Sequence, residues 1–302
     1  MHNGKIICEL EKSKVIDCEE CGFLHIFPLP SIETTELLYS KEYYEINRAN
    51  YISNLVEDES WWKNLYKERL NLVLSQMKTV DKPKVLDIGT GAGYFLQVAK
   101  ENNCLELGIE PSQMASFYAK EQGLNVMQDF YSDKVSSEIG QFDIVHMNHV
   151  LEHMDNPIKV LNNIKNNLVE NGLLCVAVPN DFNELQDIAS KLNHDKKWWI
   201  SPEEHLNYFS FRSLSRLLNR CGFDILEKTT SFPMELFILM GENYIEEKAL
   251  GRECHFRRKE FEINLFQHNI ELKQRFYSSL AEQGLGRDVI IIARKRVENH
   301  EN

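Results

Sequence analysis

Apolar residues along the chain alternate between short continuous runs and stretches where they recur every three or four positions. The runs predict strands at 84–88, 105–109, 124–128, 142–147, 173–178 and 223–229, with a last strand from Asp288 to Arg294. Helical periodicity fills the gaps, so the pattern predicts an α/β fold, a doubly wound, Rossmann-like and mostly parallel sheet that receives ligands at the carboxyl ends of its strands. Upstream, Trp61, Leu65, Leu72 and Met77, with Trp62, Tyr66, Leu70 and Val73 beside them, suit a helix over 60–78 that Asp81, Lys82 and Pro83 end. Residues 1–30 read as a small β-rich element bounded by Pro28 and Pro30. The expected division is therefore residues 1–80, an N-terminal element with packing helices, and residues 81–302, the main domain. A helical insertion at 231–287 is expected to hold one long helix around His255 to Glu282, with Phe261, Leu265, Leu272 and Phe276 on one face. That face would pack on the core, cap a substrate pocket or form a homodimer contact.

Composition narrows the function classes. A chain of 302 residues with 43% hydrophobic and 26% charged residues is ordinary for a globular protein. Its net charge of -12 argues against a main task of gripping nucleic acid. Neither a signal-peptide pattern nor a run of membrane-spanning length is seen, so a cytoplasmic location and no membrane partner are expected. Seven cysteines, an odd number, suit reduced thiols. Cys18 and Cys21 form a C-x-x-C beside Cys8 and His25. A metal-free turn is the expectation there, with zinc on Cys8, Cys18, Cys21 and His25 as the alternative and His2 a further available imidazole.

The main chemical signal is VLDIGTGAGYF, Val85 to Phe95, where an apolar run ends in Asp87 and passes into Gly89, Gly91 and Gly93. Glycine allows a sharp turn and close backbone approach to a ligand. The spacing is G-x-G-x-G rather than the dinucleotide G-x-G-x-x-G, and the Asp87 carboxylate favours a cationic ligand end over a pyrophosphate. LELGIEPS ends a second run in Glu110, where nucleotide-binding folds place an acid for ribose hydroxyls. VMQDF supplies Asp129, able to accept from an adenine amine, and Phe130, able to pack on the base.

This order of motifs, continued by FDIVHMNHVLEH and NGLLCVAVPN, resembles the class I S-adenosylmethionine-dependent methyltransferases, especially the ubiquinone-biosynthesis and bacterial sugar methyltransferase branch. The resemblance covers roughly residues 81 to 230 and implies a last strand that runs antiparallel. It also implies S-adenosylmethionine as cofactor, with Asp87, Gly89, Thr90, Gly91, Gly93 and Tyr94 around the methionine part, Glu110 and Pro111 at the ribose, and Asp129 and Phe130 at the adenine. Asn148 completes the implied set.

Two segments compete for the acceptor chemistry. HVLEH places His149, Glu152 and His153 in an H-x-x-E-H pattern directly after a strand. PEEHLNYFS resembles an E-H-x-x-Y-F-S segment of sugar C-methyltransferases, which makes His205 the preferred base, Glu204 the group orienting its ring, and His153 the reserve. Trp198 and Trp199, and Tyr43 and Tyr44, could pack on ligands. Arg252, Arg257, Arg258 and Lys259 could recognise phosphate. The expected acceptor is a small molecule, a hydroxyl of a sugar or surface-polysaccharide precursor, phosphorylated or nucleotide-linked. A quinone-like or polyketide-like metabolite, an NAD-dependent oxidoreductase and a non-catalytic cofactor-binding partner are the alternatives.

Overall fold

The computed structural model describes residues 2–30 and 56–297; Tyr43 and Tyr44 lie outside them. The first elements are β1 (Gly4–Glu9), β2 (Lys14–Cys18), β3 (Leu24–Phe27) and α1 (Glu59–Ser75). Next come β4 (Lys84–Ile88), α2 (Tyr94–Glu101), β5 (Leu105–Ile109), α3 (Gln113–Glu121), β6 (Val126–Met127), α4 (Asp133–Ile139) and β7 (Phe142–Asn148). The chain continues through α5 (Pro157–Asn167), β8 (Leu168–Pro179), α6 (Glu184–Leu192), β9 (Asn207–Tyr208), α7 (Phe211–Arg220) and β10 (Phe223–Thr229). It closes with α8 (Glu235–Leu239), α9 (Lys248–His268), α10 (Ile270–Glu282) and β11 (Asp288–Lys295).

These elements group into two compact units, one of residues 1–28, 177–217 and 227–291, the other of 29–176, 218–226 and 292–302. One sheet has seven strands in the order β10-β11-β8-β7-β4-β5-β6 and is mostly parallel, with the last strands antiparallel. Its central strands lack polar alternation because both faces are covered: Val85, Leu86, Ile144, Val145 and Leu173 to Val178 are all fully buried. The second sheet is antiparallel, β1-β2-β3-β9, and packs Val15, Ile26 and Tyr208 into a small core of its own.

Helix starts are set by local capping. Ser112, Ser132, Asn156 and Asn183 each accept a backbone N–H from the first turn that follows, and Pro157 occupies a position that needs no donor. The long helix expected over 255–282 is instead two helices. The backbone leaves the helical region at Asn269 (φ -159°, ψ 82°), whose side chain caps α10 by accepting from Leu272 N–H. The face carrying Phe261, Leu272 and Phe276 is exposed, so core packing of that stripe does not hold. The buried side of the pair carries Glu262, Lys273 and Tyr277, with Tyr277 Oη donating to Glu262 Oε1 at 3.0 Å. No helix among the described residues is long and apolar enough to cross a membrane.

One buried side chain ties the end of α5 to α4. Asn167 Oδ1 accepts from Tyr131 Oη and Ser136 Oγ, both at 2.7 Å, while its Nδ2 donates to Ser136 O at 2.8 Å and Gly140 O at 2.7 Å. Replacing it strands several buried polar groups at once. Asn167→Leu is expected to lower stability by about 3 kcal/mol, read as a drop in urea midpoint with an unchanged denaturant slope.

Candidate functional site

The order of the seven-stranded sheet reverses at β4: the chain goes from β4 to β5 and β6 on one side, then returns to β7 on the other. Ligands of such sheets bind at the carboxyl ends of the strands flanking that point. There Asp87 of β4 lies in register with His146 of β7, and both are buried. His146 Nδ1 donates to Asp87 Oδ1 at 2.7 Å, and Thr90 Oγ1 donates to Asp87 Oδ2 at 2.6 Å. Burial pushes the His146 pKa below its ordinary value against the pull of Asp87, which keeps the ring neutral and leaves Nε2 to accept from Arg69 Nη1 at 3.3 Å. Arg69 also donates to Asn148 Oδ1 at 2.6 Å, and Phe95 stacks on the imidazole at 3.7 Å.

The loop after Asp87 is built on glycine conformations. Gly89, Gly91 and Gly93 all have positive φ, at 70°, 55° and 85°. A Cβ at Gly89 would sit 2.4 Å from Val150 Cγ2, so a side chain there is excluded sterically as well. The bend turns Gly91 N–H onto Glu110 Oε2 at 2.8 Å, while Ser112 N–H meets Oε1 at 2.8 Å. Each carboxylate oxygen is thus oriented and keeps a further lone pair for a neighbouring hydroxyl. Desolvation raises the Glu110 pKa to about 7, opposed by those two N–H bonds.

Tyr94 is buried and Pro111 partly so. Asp129 is exposed and accepts from Phe130 N–H at 2.7 Å, with the Phe130 ring half-buried. His149 is exposed and held at a left-handed φ of 54°. Leu151–His153 form a single 3-10 turn, so the H-x-x-E-H residues do not share a helical face. Buried Glu152 instead lies beside its own neighbour, Oε1 at 3.8 Å from His153 Nε2.

In the other unit, His205 Nδ1 lies 3.8 Å from Oδ2 of buried Asp181, whose Oδ1 accepts from Gln186 Nε2 at 3.1 Å. Asp181, just after β8, is thus an acid near the ring that the sequence did not single out, at a separation longer than a hydrogen bond. It stands one residue past NGLLCVAVPN, where nothing in the apolar pattern marks it. His146 and Arg69 were missed too, although a histidine inside the apolar run FDIVHMN was a visible sign. Trp199 is buried against Phe182 with rings 5.7 Å apart, and Trp198 packs edge-on against Trp199. In the basic cluster, Arg257 pairs with Glu242 and Arg258 with Glu262 at 3.3 Å.

The C-x-x-C segment converges on a histidine pair. Donor atoms of His2, Cys18, Cys21 and His25 all lie within 4.8 Å of one another. Cys8, a ligand in the zinc alternative, is elsewhere. It pairs in register with Val15 while Cys18 pairs with Gly4, and its side chain packs with Val15, Ile26 and Tyr208. Four residues of strand separate those positions, about 13 Å.

Residues 61–228 match the family model described as a methyltransferase domain, which spans more than half of the chain. The chain belongs to this methyltransferase family. It resembles the ubiquinone biosynthesis O-methyltransferase of Histophilus somni, 24% identical over 55% of this chain and 82% of that protein. A SAM-dependent methyltransferase structure from Archaeoglobus fulgidus aligns with TM-score 0.50 at 20% identity, over 80% of this chain and 99% of the other. The plantazolicin methyltransferase BpumL, solved in complex with SAH, aligns with TM-score 0.52 at 15% identity over 88% and 96%. The protein is a class I methyltransferase with S-adenosylmethionine as its cofactor, and the nicotinamide alternative is set aside. The loop and acid geometry fits that cofactor, since an adenosyl group brings the vicinal hydroxyls that a pre-oriented buried carboxylate receives.

Glu110 gives the methyltransferase a measurable pH signature. The folded chain keeps the Glu110 proton up to about pH 7, whereas the ordinary value is 4.5, so the native state binds more protons in that window and loses stability as pH rises through it. Glu110→Gln removes this slope. Relative to wild type, the variant is expected to gain up to about 3 kcal/mol between pH 4 and pH 8, checked by urea denaturation without cofactor at a series of pH values.

Proposed function

We propose that the methyltransferase methylates a hydroxyl oxygen of a small molecule, with His205 receiving the hydroxyl proton and Asp181 as the negative charge beside the imidazole. The observation that carries this reading is the approach of His205 Nδ1 to a buried carboxylate fixed from behind by Gln186. At that separation the carboxylate makes no hydrogen bond to the ring, but its negative charge favours the imidazolium that forms once the proton has moved.

S-adenosylmethionine, when bound, supplies a methyl group already activated by a sulfonium. Glu110, with Pro111 beside it, takes the ribose hydroxyls, the Gly89–Gly93 loop with Asp87, Thr90, Tyr94 and Asn148 takes the methionine part, and Asp129 and Phe130 take the adenine side. What remains for the chain is to position the acceptor and carry off its proton.

A phenolic hydroxyl of a quinone-precursor type is the acceptor we favour. The ubiquinone-biosynthesis names of the relatives support it, and a phenol ionises near pH 10, within easier reach of an imidazole than an alcohol. A phosphorylated or nucleotide-linked sugar is the second reading: Arg257 and Arg258 of the basic cluster are already paired with Glu242 and Glu262.

Two variants test the base. His205→Ala is expected to lower kcat on a catechol-type acceptor by about 10²–10⁴ with unchanged affinity for SAH. Asp181→Asn is expected to lower kcat while KM for the cofactor stays put. Wild-type kcat in His205→Ala would refute the assignment. Parallel assays with a nucleotide sugar and labelled S-adenosylmethionine, read by product mass, decide the acceptor class.

A further inference from the structure

We propose that His2, Cys18, Cys21 and His25 form a structural zinc site that fastens the antiparallel sheet to the segment carrying His205. The four donor atoms lie within 4.8 Å of one another before any ion is added. A tetrahedral zinc with bonds of about 2.3 Å to sulfur and about 2.0–2.1 Å to nitrogen spaces its donors about 3.3–3.8 Å apart. His2 Nδ1 sits 3.3 Å from Cys21 Sγ and 3.7 Å from Cys18 Sγ, inside that range.

The surroundings point the same way. Cys21 N–H donates to Cys18 Sγ at 3.4 Å, as suits a sulfur carrying thiolate charge, and Gly22 (φ 79°) lets the turn close with its N–H on Cys18 O at 2.8 Å. His25 is buried, and its Nδ1 donates to Ile26 O at 2.8 Å. That bond fixes the tautomer so that Nε2 bears the lone pair, and Nε2 is a buried nitrogen with no hydrogen-bond partner. A metal ion satisfies it. Two imidazoles and two thiolates in tetrahedral array are a donor set for zinc, with no position left open for catalysis. Binding sends the two thiol protons to solvent and changes no oxidation state.

The position of the site in the sheet gives it a purpose. His25 pairs in register with Asn207, two residues after His205, and Ile26 N–H donates to Leu206 O at 2.8 Å. A ligand on β3 is therefore bonded through the backbone to the strand that follows His205.

The test uses the untagged full chain, reduced and dialysed against zinc. One zinc per chain is expected for wild type and for Cys8→Ser, with release on thiol blocking. Replacing zinc by cobalt(II) in wild type should give the visible ligand-field bands and thiolate charge-transfer absorption of a tetrahedral site. Cys18→Ser and His25→Ala should weaken binding beyond the roughly 10–100-fold that loss of a ligand's hydrogen-bond partner costs. Removing zinc should speed amide exchange in residues 14–27 and 206–209. A wild-type chain that takes up neither zinc nor cobalt overturns the proposal, as does full affinity in a folded His25→Ala.

Discussion

The hydrogen bond between His146 and Asp87 is the constraint on which the cofactor side depends. It joins two parallel strands at the point where the sheet changes direction, using side chains that are both buried. An ionised carboxylate in such a place is costly unless every lone pair is met. Here the imidazole meets one oxygen and the Thr90 hydroxyl the other, and Thr90 belongs to the very loop that must be shaped. Arg69 from α1 and the Phe95 ring from α2 hold the imidazole in turn. The glycine loop is thus anchored at its root and free only in directions that glycine tolerates.

Around that anchor the fold gives three acids at strand ends different work. Asp87 accepts from His146 and Thr90 and so anchors the glycine loop at its root. Glu110 is oriented by two backbone donors yet desolvated enough to hold a proton near neutrality. Asp181, beyond β8, is aimed at a histidine instead of a loop. Its place is secured by Asn180, whose Nδ2 donates to Gly284 O and Gly286 O and whose N–H donates to Arg287 O, while its own backbone bridges to Phe209. The end of one strand is therefore stitched to two loops far away in sequence.

The strands were legible because the sheet is covered on both faces: VLDI and FDIVHM are apolar where the structure buries them, and their limits agree within a residue, whereas the strand expected at 173–178 begins five residues earlier, at Leu168. The third strand shrank to Val126–Met127, because edge position demands less apolar length. The helix break at Asn269 escaped notice since an amphipathic period continues across it, and only the capping geometry of one asparagine interrupts it. Glycine and acid positions were readable from spacing, but the partner of His205 was not. Glu204 is its neighbour in sequence, whereas Asp181, 3.8 Å from the ring, is brought near only by the fold. The cysteine segment shows the same limit: Cys8 was the obvious thiol, yet strand register carries it into an apolar cluster and leaves the opening to His2.

β9 lends the small sheet a consequence for biosynthesis. Its two residues complete a sheet whose other three strands come from the first 27 positions, so Leu24 must wait for Tyr208. A nascent chain leaving the ribosome has already exposed β3 as a bare edge while most of the methyltransferase core is still being made. Contacts of such long sequence separation close late, after the loop between them has paid its entropy. The hairpin of β1 and β2 with β3 is therefore an early-made, late-seated part, whose outer edge is closed only once Asn207 and Tyr208 have followed it out of the ribosome.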